Sequence, residues 1–202
     1  MGVEGALRWR INYHWTLQAA ASWGRSRYLE DPRLTLLRDT DNVLIEERAK
    51  SHMADCRVGG VPTATATLGV HYYGAKGWGA RLSVGGLFDR SVEPAWTRRT
   101  DRIARQNGNN PESLAAFARQ ERMADAVTLD VMLSKSIRWE QSTLHLMLSA
   151  RNLTGAEYPA YGFESMRTQQ QGSSIHRERI PQANRYRYAA PRSVVLTVGY
   201  RF

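Results

Sequence analysis

The chain has 202 residues, enough for one domain or slightly more, with 28 Lys plus Arg against 19 Asp plus Glu and a formal charge of +9. Hydrophobic residues make up 42% and charged residues 23%, which excludes a disordered chain. The longest unbroken apolar run is the five residues from Leu114 to Ala118, far short of the roughly 18 a membrane-crossing helix needs, and Met1-Gly2-Val3-Glu4 does not read as a secretory leader. The single cysteine, Cys56, excludes an internal disulfide framework and a cysteine-based zinc cluster.

The dominant pattern has a period of two, and it recurs seven times along the chain. Val3, Gly5, Leu7, Trp9 and Ile11 alternate with Glu4, Ala6, Arg8 and Arg10. The next stripes are Trp15, Leu17, Ala19, Ala21 and Trp23, then Ala64, Ala66, Leu68, Val70 and Tyr72, then Trp78, Ala80, Leu82, Val84, Gly86 and Phe88. Val127, Leu129, Val131 and Leu133 follow, then Leu144, Leu146, Leu148 and Ala150, and finally Val194, Leu196, Val198, Tyr200 and Phe202. Successive strand side chains point to opposite faces, so each segment reads as a strand with one apolar face. The opposite face carries Arg8, Arg10, Arg81, Asp89, Asp130, His145 and Arg201.

Connections alternate in length. Residues 12–14, 73–77 and 139–141 make short turns, whereas roughly residues 29–60, 90–124 and 152–190 are long. Long loops are uncommon in compact soluble domains, and tight turns at one end with long loops at the other mark an outer-membrane barrel. Trp9, Trp15, Trp23, Tyr72, Trp78, Phe88, Tyr200 and Phe202 cluster at the stripe ends, as interfacial aromatic girdles do. The pattern therefore predicts an all-β, antiparallel transmembrane β-barrel segment of about seven strands, with residues 1–202 forming one barrel portion. Leu129, Leu146, Leu196 and Val198 are expected to face lipid, and Arg81, Asp130 and Arg201 the lumen. Seven is odd where single-chain barrels are even, so the barrel is expected to be incomplete.

The long loops are polar and basic. Trp96, Arg98, Arg99 and Arg102, with Arg105, form a cluster suited to an anionic ligand or to lipopolysaccharide phosphates; a solvated loop face is the plainer reading. The cluster lacks the fold signature of a nucleic-acid binder, so no nucleic-acid partner is expected. Pro111 behind an Asn cap predicts a helix over 111–122, with Leu114, Phe117, Ala118 and Glu121 on one face. This helix is read as packing on its own loop, with gating of a pore as the sharper alternative. The third loop holds Gln169-Gln170-Gln171-Gly172-Ser173-Ser174, a loop-tip composition, and Arg167, Arg177, Arg179, Arg185 and Arg187. Pairing of strands five and six is expected to set His145 opposite Ser134 with Asp130 on the same face; a hydrolase triad there is the minor reading, because no nucleophile motif surrounds Ser134. His52 and Cys56 have a two-ligand metal spacing, which falls short of a closed site, so no metal is expected.

Taken in order, several motifs resemble the C-terminal end of the TonB-dependent receptors, the plugged 22-stranded outer-membrane transporters. These are Gly2-Val3-Glu4, Val61-Pro62 with Gly69 and Tyr72, Gln120-Glu121-Arg122 with Asp125-Ala126, Arg151-Asn152-Leu153 to Glu157-Tyr158, Gly162-Phe163-Glu164 with Arg167, and Pro191-Arg192 with Gly199-Tyr200-Arg201-Phe202. Thr154-Gly155-Ala156 departs from the usual turn after the asparagine-leucine pair. The resemblance implies energy-coupled import of a scarce, bulky nutrient of siderophore, cobalamin or glycan type, with no chemistry in the barrel, no catalytic residues and no cofactor. It implies a plug and further strands outside this chain, contact with TonB through that plug, and a Gram-negative outer membrane as the location. It also implies that Val198, Tyr200 and Phe202 serve as the signal read by the barrel-assembly machinery. A plug-free porin or adhesin is the alternative of a different class, and an outer-membrane hydrolase a more distant one.

Overall fold

The computed structural model describes residues 1–172 and 177–202, with the side chains of Ser113, Leu114 and residues 168–179 outside that description. Seven strands form one antiparallel sheet in chain order: β1 (Gly2–Arg10), β2 (Trp15–Gly24), β3 (Ala64–Tyr73), β4 (Trp78–Phe88), β5 (Ala126–Trp139), β6 (Ser142–Arg151) and β7 (Ser193–Arg201). Each strand pairs with its sequence neighbour, and β1 and β7 are the outer edges, so the sheet is an up-and-down wall left unclosed.

The register unites the alternating stripes across strands. Trp9, Leu17, Val70, Leu82, Val131, Ala150 and Val194 sit side by side across all seven strands, every one apolar. The row two residues along, Trp15, Tyr72, Ala80, Leu133, Leu148 and Leu196, is apolar as well. Between them on the other face lie Arg10, Thr16, His71, Arg81, Met132, Ser149 and Val195, and on the far side of the first row Arg8, Gln18, Gly69, Ser83 and Asp130. A one-residue slip would exchange the two faces, so this agreement over seven strands fixes the register.

The wall contains almost none of the core. All nine residues of β1 are exposed, and Leu68, Leu148 and Leu196 keep 50%, 41% and 65% of their surface open. Among the described residues the buried hydrophobic side chains include Ala49, Met53, Val92, Ala95, Ile103, Phe117, Met123 and Ala126, all in the long connections or where they meet the wall. An apolar face this broad exceeds what water-exposed monomers carry.

Short turns close the other end. Asn12 Oδ1 accepts from the N–H groups of His14 and Trp15, both at 2.9 Å. At the β3–β4 turn Lys76 and Gly77 have φ of 57° and 77°, and a Cβ on Gly77 would meet the Ser136 carbonyl at 2.5 Å, so the position requires glycine. Strand β5 runs to Trp139, beyond the expected end of the alternation at Leu133. Lys135 is accommodated because its Nζ donates to the Lys76 carbonyl and lies 4.6 Å from the Trp78 ring centre, keeping the charge at the turn.

The long connections hold more structure than their composition suggests. Arg33–Leu37 pairs with Leu44–Lys50, Pro159–Phe163 with Arg185–Tyr188, Thr168–Gly172 with Arg177–Pro181, and Arg90–Ser91 with Arg122–Met123. The middle connection forms α1 (Asp101–Gln106) and α2 (Pro111–Ala118). Helix α2 starts as expected, with Asn110 Oδ1 accepting from the Glu112 N–H at 3.0 Å, but ends four residues early at Ala118. Of the expected packing face Phe117 is buried, Ala118 and Glu121 are exposed, and the Leu114 side chain lies outside the described residues.

Candidate functional site

At the loop end three connections interlock around two glutamates. Glu93 joins the first and third loops to the second: its carboxylate accepts from the Tyr28 hydroxyl and the Gly59 N–H, each at 2.6 Å. Its own backbone donates to the Gly162 carbonyl and accepts from the Glu164 N–H. A Cβ on Gly59 would strike the Glu93 backbone, so glycine lets the two loops touch. Burial and the bond to Glu93 push the Tyr28 hydroxyl up to about 12.

Glu164 is fully buried. It pairs through both oxygens with the Arg99 guanidinium and accepts from the Ala95 N–H at 2.9 Å. Arg98 lies 3.8 Å from the same carboxylate and donates to Asn184. Burial lowers the Arg98 pKa, with Glu164 holding it up. Two buried cations are tolerable here because a buried carboxylate lies between them.

Further ties complete the cap. The Gln120 amide accepts from the Arg57 N–H and donates to the Arg57 and Val92 carbonyls, acting as a backbone segment would. Arg90 is 1% exposed, donates to the Pro159 and Ala124 carbonyls and lies over the Tyr158 ring. Asp89 pairs with Arg57 at 2.7 Å and with Arg122 at 3.1 Å; the hydrogen bond from Arg57 holds its carboxyl below the usual range. Glu121 accepts from the Tyr186 hydroxyl and from Asn184, and burial together with that carboxylate pushes Tyr186 up to about 12.

Asn152 forms the hinge between wall and cap. Its φ is 52° and it is 5% exposed. Its Oδ1 accepts from Thr154 and the Ala156 N–H, its Nδ2 donates to the Ala156 and Ala190 carbonyls, and its N–H donates to Asp130. Thr154-Gly155-Ala156 thus builds its own turn, with Gly155 at φ 65°.

The expected ligand cluster is dispersed. Arg99 is enclosed with Glu164, Trp96 packs edge-on against Tyr28 at 5.9 Å, and Arg102 lies half-buried on α1. Of the four, only Arg98 borders the cleft that opens between the loops. That cleft holds about 690 Å³ and is lined chiefly by Arg98, Arg119, Gln120, Glu121, Arg122 and Tyr186. Sequence reading missed Glu93, Glu164 and Gln120 as the cap's organisers; the Gly162-Phe163-Glu164 and Gln120-Glu121-Arg122 motifs were their visible signal.

Other expectations are corrected by the register. His145 lies opposite Ser136, with Nδ1 2.9 Å from Oγ, while Ser134 faces Met147 and Asp130 is engaged with Asn152, so no triad is assembled. His52 bonds Asp101 at 2.6 Å, and Cys56 lies beside Arg99, with burial raising its thiol. Among the described residues no group of three or more His, Cys, Asp or Glu could hold a metal ion. Val198, Tyr200 and Phe202 lie on the apolar face at the open edge, with Phe202 94% exposed. Ser173 and Ser174 of the expected loop tip lie outside the described residues, as do the side chains of Gln169 to Gln171, Arg177 and Arg179.

The fold is a portion of an antiparallel barrel wall with an interlocked loop cap. The sequence matches no protein-family model and no curated protein. Among solved structures the chain is similar to the siderophore receptor PiuA from Acinetobacter baumannii, with a TM-score of 0.57 and 15% identity over 98% of this chain and 21% of that one. The likeness is one of fold, and the chain spans about a fifth of that receptor's length.

Proposed function

We propose that the chain is part of the barrel of an outer-membrane receptor of TonB-dependent type, importing a scarce, bulky nutrient of siderophore, cobalamin or glycan class. The observation that carries this reading is the wall itself: seven strands with an unbroken apolar row on one face, polar residues on the other, and long loops packed together at one end only. Lipid covers the apolar face, since exposed sheet of this kind is stable only where water is replaced. Lipopolysaccharide surrounds the basic loops, the barrel-assembly machinery reads Val198, Tyr200 and Phe202, and TonB acts through a plug inside the barrel. In this reading the cleft presents Arg119 and Arg122, beside the Glu121 carboxylate that Tyr186 holds, to an anionic or polyhydroxylated ligand.

Uptake of radiolabelled ferric siderophores, cobalamin and oligosaccharides by cells producing the full-length protein tests the reading. One of them is expected to accumulate only while the proton gradient stands and TonB is present. Accumulation that continues under a protonophore, together with conductance for small solutes, is a porin's behaviour and would overturn it. Within a working receptor, Arg119→Glu is expected to raise the half-saturating ligand concentration about tenfold, the scale of one lost charge-assisted contact.

A further inference from the structure

We propose that the cleft between the loops selects a ligand that carries a carboxylate and neighbouring hydroxyl groups in one molecule, with Arg98 selecting the carboxylate. The inference rests on the receptor reading above and narrows what its cleft takes. Charge at the enclosed end of the cleft is unbalanced. Arg98 and Arg99 share the one buried carboxylate of Glu164, so the trio carries one positive charge in excess. Arg99 engages both Glu164 oxygens. Arg98 stands 3.8 Å off, and its Nε has no hydrogen-bond partner among the described residues.

Arg98 is 4% exposed, yet it belongs to the lining of the cleft. Its guanidinium reaches from Glu164, on the Nε side, to the cleft, where Nη1 donates to Asn184 at 3.2 Å. An enclosed cation with an incomplete set of partners favours an incoming anion, and the planar fork matches a carboxylate. Beyond Asn184 the demand reverses. The Asn184 amide donates to one oxygen of Glu121, and the Tyr186 hydroxyl donates to the other at 2.6 Å. Each of those oxygens keeps room for a further donor.

This polarity orients the ligand. A carboxylate held as an acceptor takes hydroxyl groups and repels anions, so the ligand's hydroxyls face Glu121 and its carboxylate faces Arg98. Arg122 is already engaged by Asp89 and Asp125, whereas Arg119 stands exposed on the rim. A second anionic group on the ligand is therefore met by Arg119. The volume of about 690 Å³ admits an organic ligand of several linked units. Sugar acids and hydroxycarboxylate metal chelates both carry this pair of groups.

The test uses the purified full-length protein in detergent micelles and equilibrium dialysis against citrate, ferric citrate and trigalacturonate. Tricarballylate, which is citrate without its hydroxyl, and maltotriose, which has hydroxyls but no carboxylate, are the matched controls. At least one of the three hydroxylated acids is expected to bind about tenfold tighter than both controls. Preference for citrate or its ferric complex marks a chelate source, and preference for trigalacturonate a sugar-acid source. Arg98→Gln is expected to lower that affinity about tenfold while amide protection at residues 93–95 is retained, and Arg98→Lys to recover part of it. Glu121→Gln, at an exposed position, is expected to bring the preferred acid down toward tricarballylate, and it covers the case in which Arg98→Gln fails to fold. No binding of any hydroxylated acid, equal binding of either control, or unchanged affinity in a folded Arg98→Gln or Glu121→Gln would overturn the proposal. Full competition by millimolar inorganic phosphate would overturn it too, by marking a small-anion site. Selective binding without energy-coupled uptake would overturn the transport reading alone. Energy-coupled uptake of a ligand lacking a carboxylate, unaffected by Arg98→Gln, would overturn this inference alone.

Discussion

Glu164 shows how much of the cap depends on single buried groups. Its side chain and that of Arg99 are almost wholly enclosed, so removing one partner leaves an uncompensated charge. Glu164→Gln is expected to destabilise the cap by about 3–5 kcal/mol, and the pair Glu164→Leu with Arg99→Met to recover much of that loss. Hydrogen exchange at the backbone of residues 93–95 and 163–165 reads it; protection unchanged in Glu164→Gln would contradict the assignment. The tyrosines give the cap an alkaline limit. Tyr28 and Tyr186 titrate at about 12 in the folded chain, against about 10 in an unfolded one. A raised value means the neutral hydroxyl is the stabilising form. Their contribution is therefore complete below about pH 10 and is lost as pH climbs through 12. The difference in tyrosinate absorbance between the protein and its Tyr28→Phe variant should show a midpoint near 12, and a midpoint near 10 would contradict the Glu93 contact.

At the scale of elements, the face assignment makes an asymmetric prediction. Leu148 lies in an apolar row beside Leu133 and Leu196, whereas its neighbour Met147 points to the polar side between Ser134 and Thr197. An arginine facing lipid at mid-depth costs about 2–4 kcal/mol in barrels. Leu148→Arg is thus expected to reduce folding yield into lipid vesicles far more than Met147→Arg, and equal yields would refute the faces. The strands were legible because period two is a local property that each segment carries by itself. Register was not, and His145 shows why: Glu140, at φ 23°, closes a tighter turn than the alternation suggested, moving the pairing partner from Ser134 to Ser136. The cap was least legible. Glu93 reaches Tyr28, Gly59 and Gly162, and Gln120 reaches Arg57, across separations that no periodicity records. Arg98 and Arg99 read as ligand donors in the sequence because the buried carboxylate that engages them lies 65 residues beyond Arg99.

For the whole molecule, wall and cap divide the labour. The wall leaves its apolar face exposed, to be covered by lipid in the reading proposed above, while the cap builds its own core from Met53, Val92, Ile103, Phe117 and Met123. In a membrane this places the three long loops on one side and the short turns on the other. The measurement that tests this arrangement most directly is labelling with a membrane-impermeant maleimide in intact cells, on a Cys56→Ser background of the full-length protein. Single cysteines at Asp55 and Asn109 sample the exposed surface of the cap, and one at Lys76 samples a short turn. Asp55→Cys and Asn109→Cys are expected to label in intact cells, and Lys76→Cys only after lysis. Labelling of Lys76→Cys in intact cells with none at Asp55→Cys or Asn109→Cys would contradict the barrel topology on which the account stands.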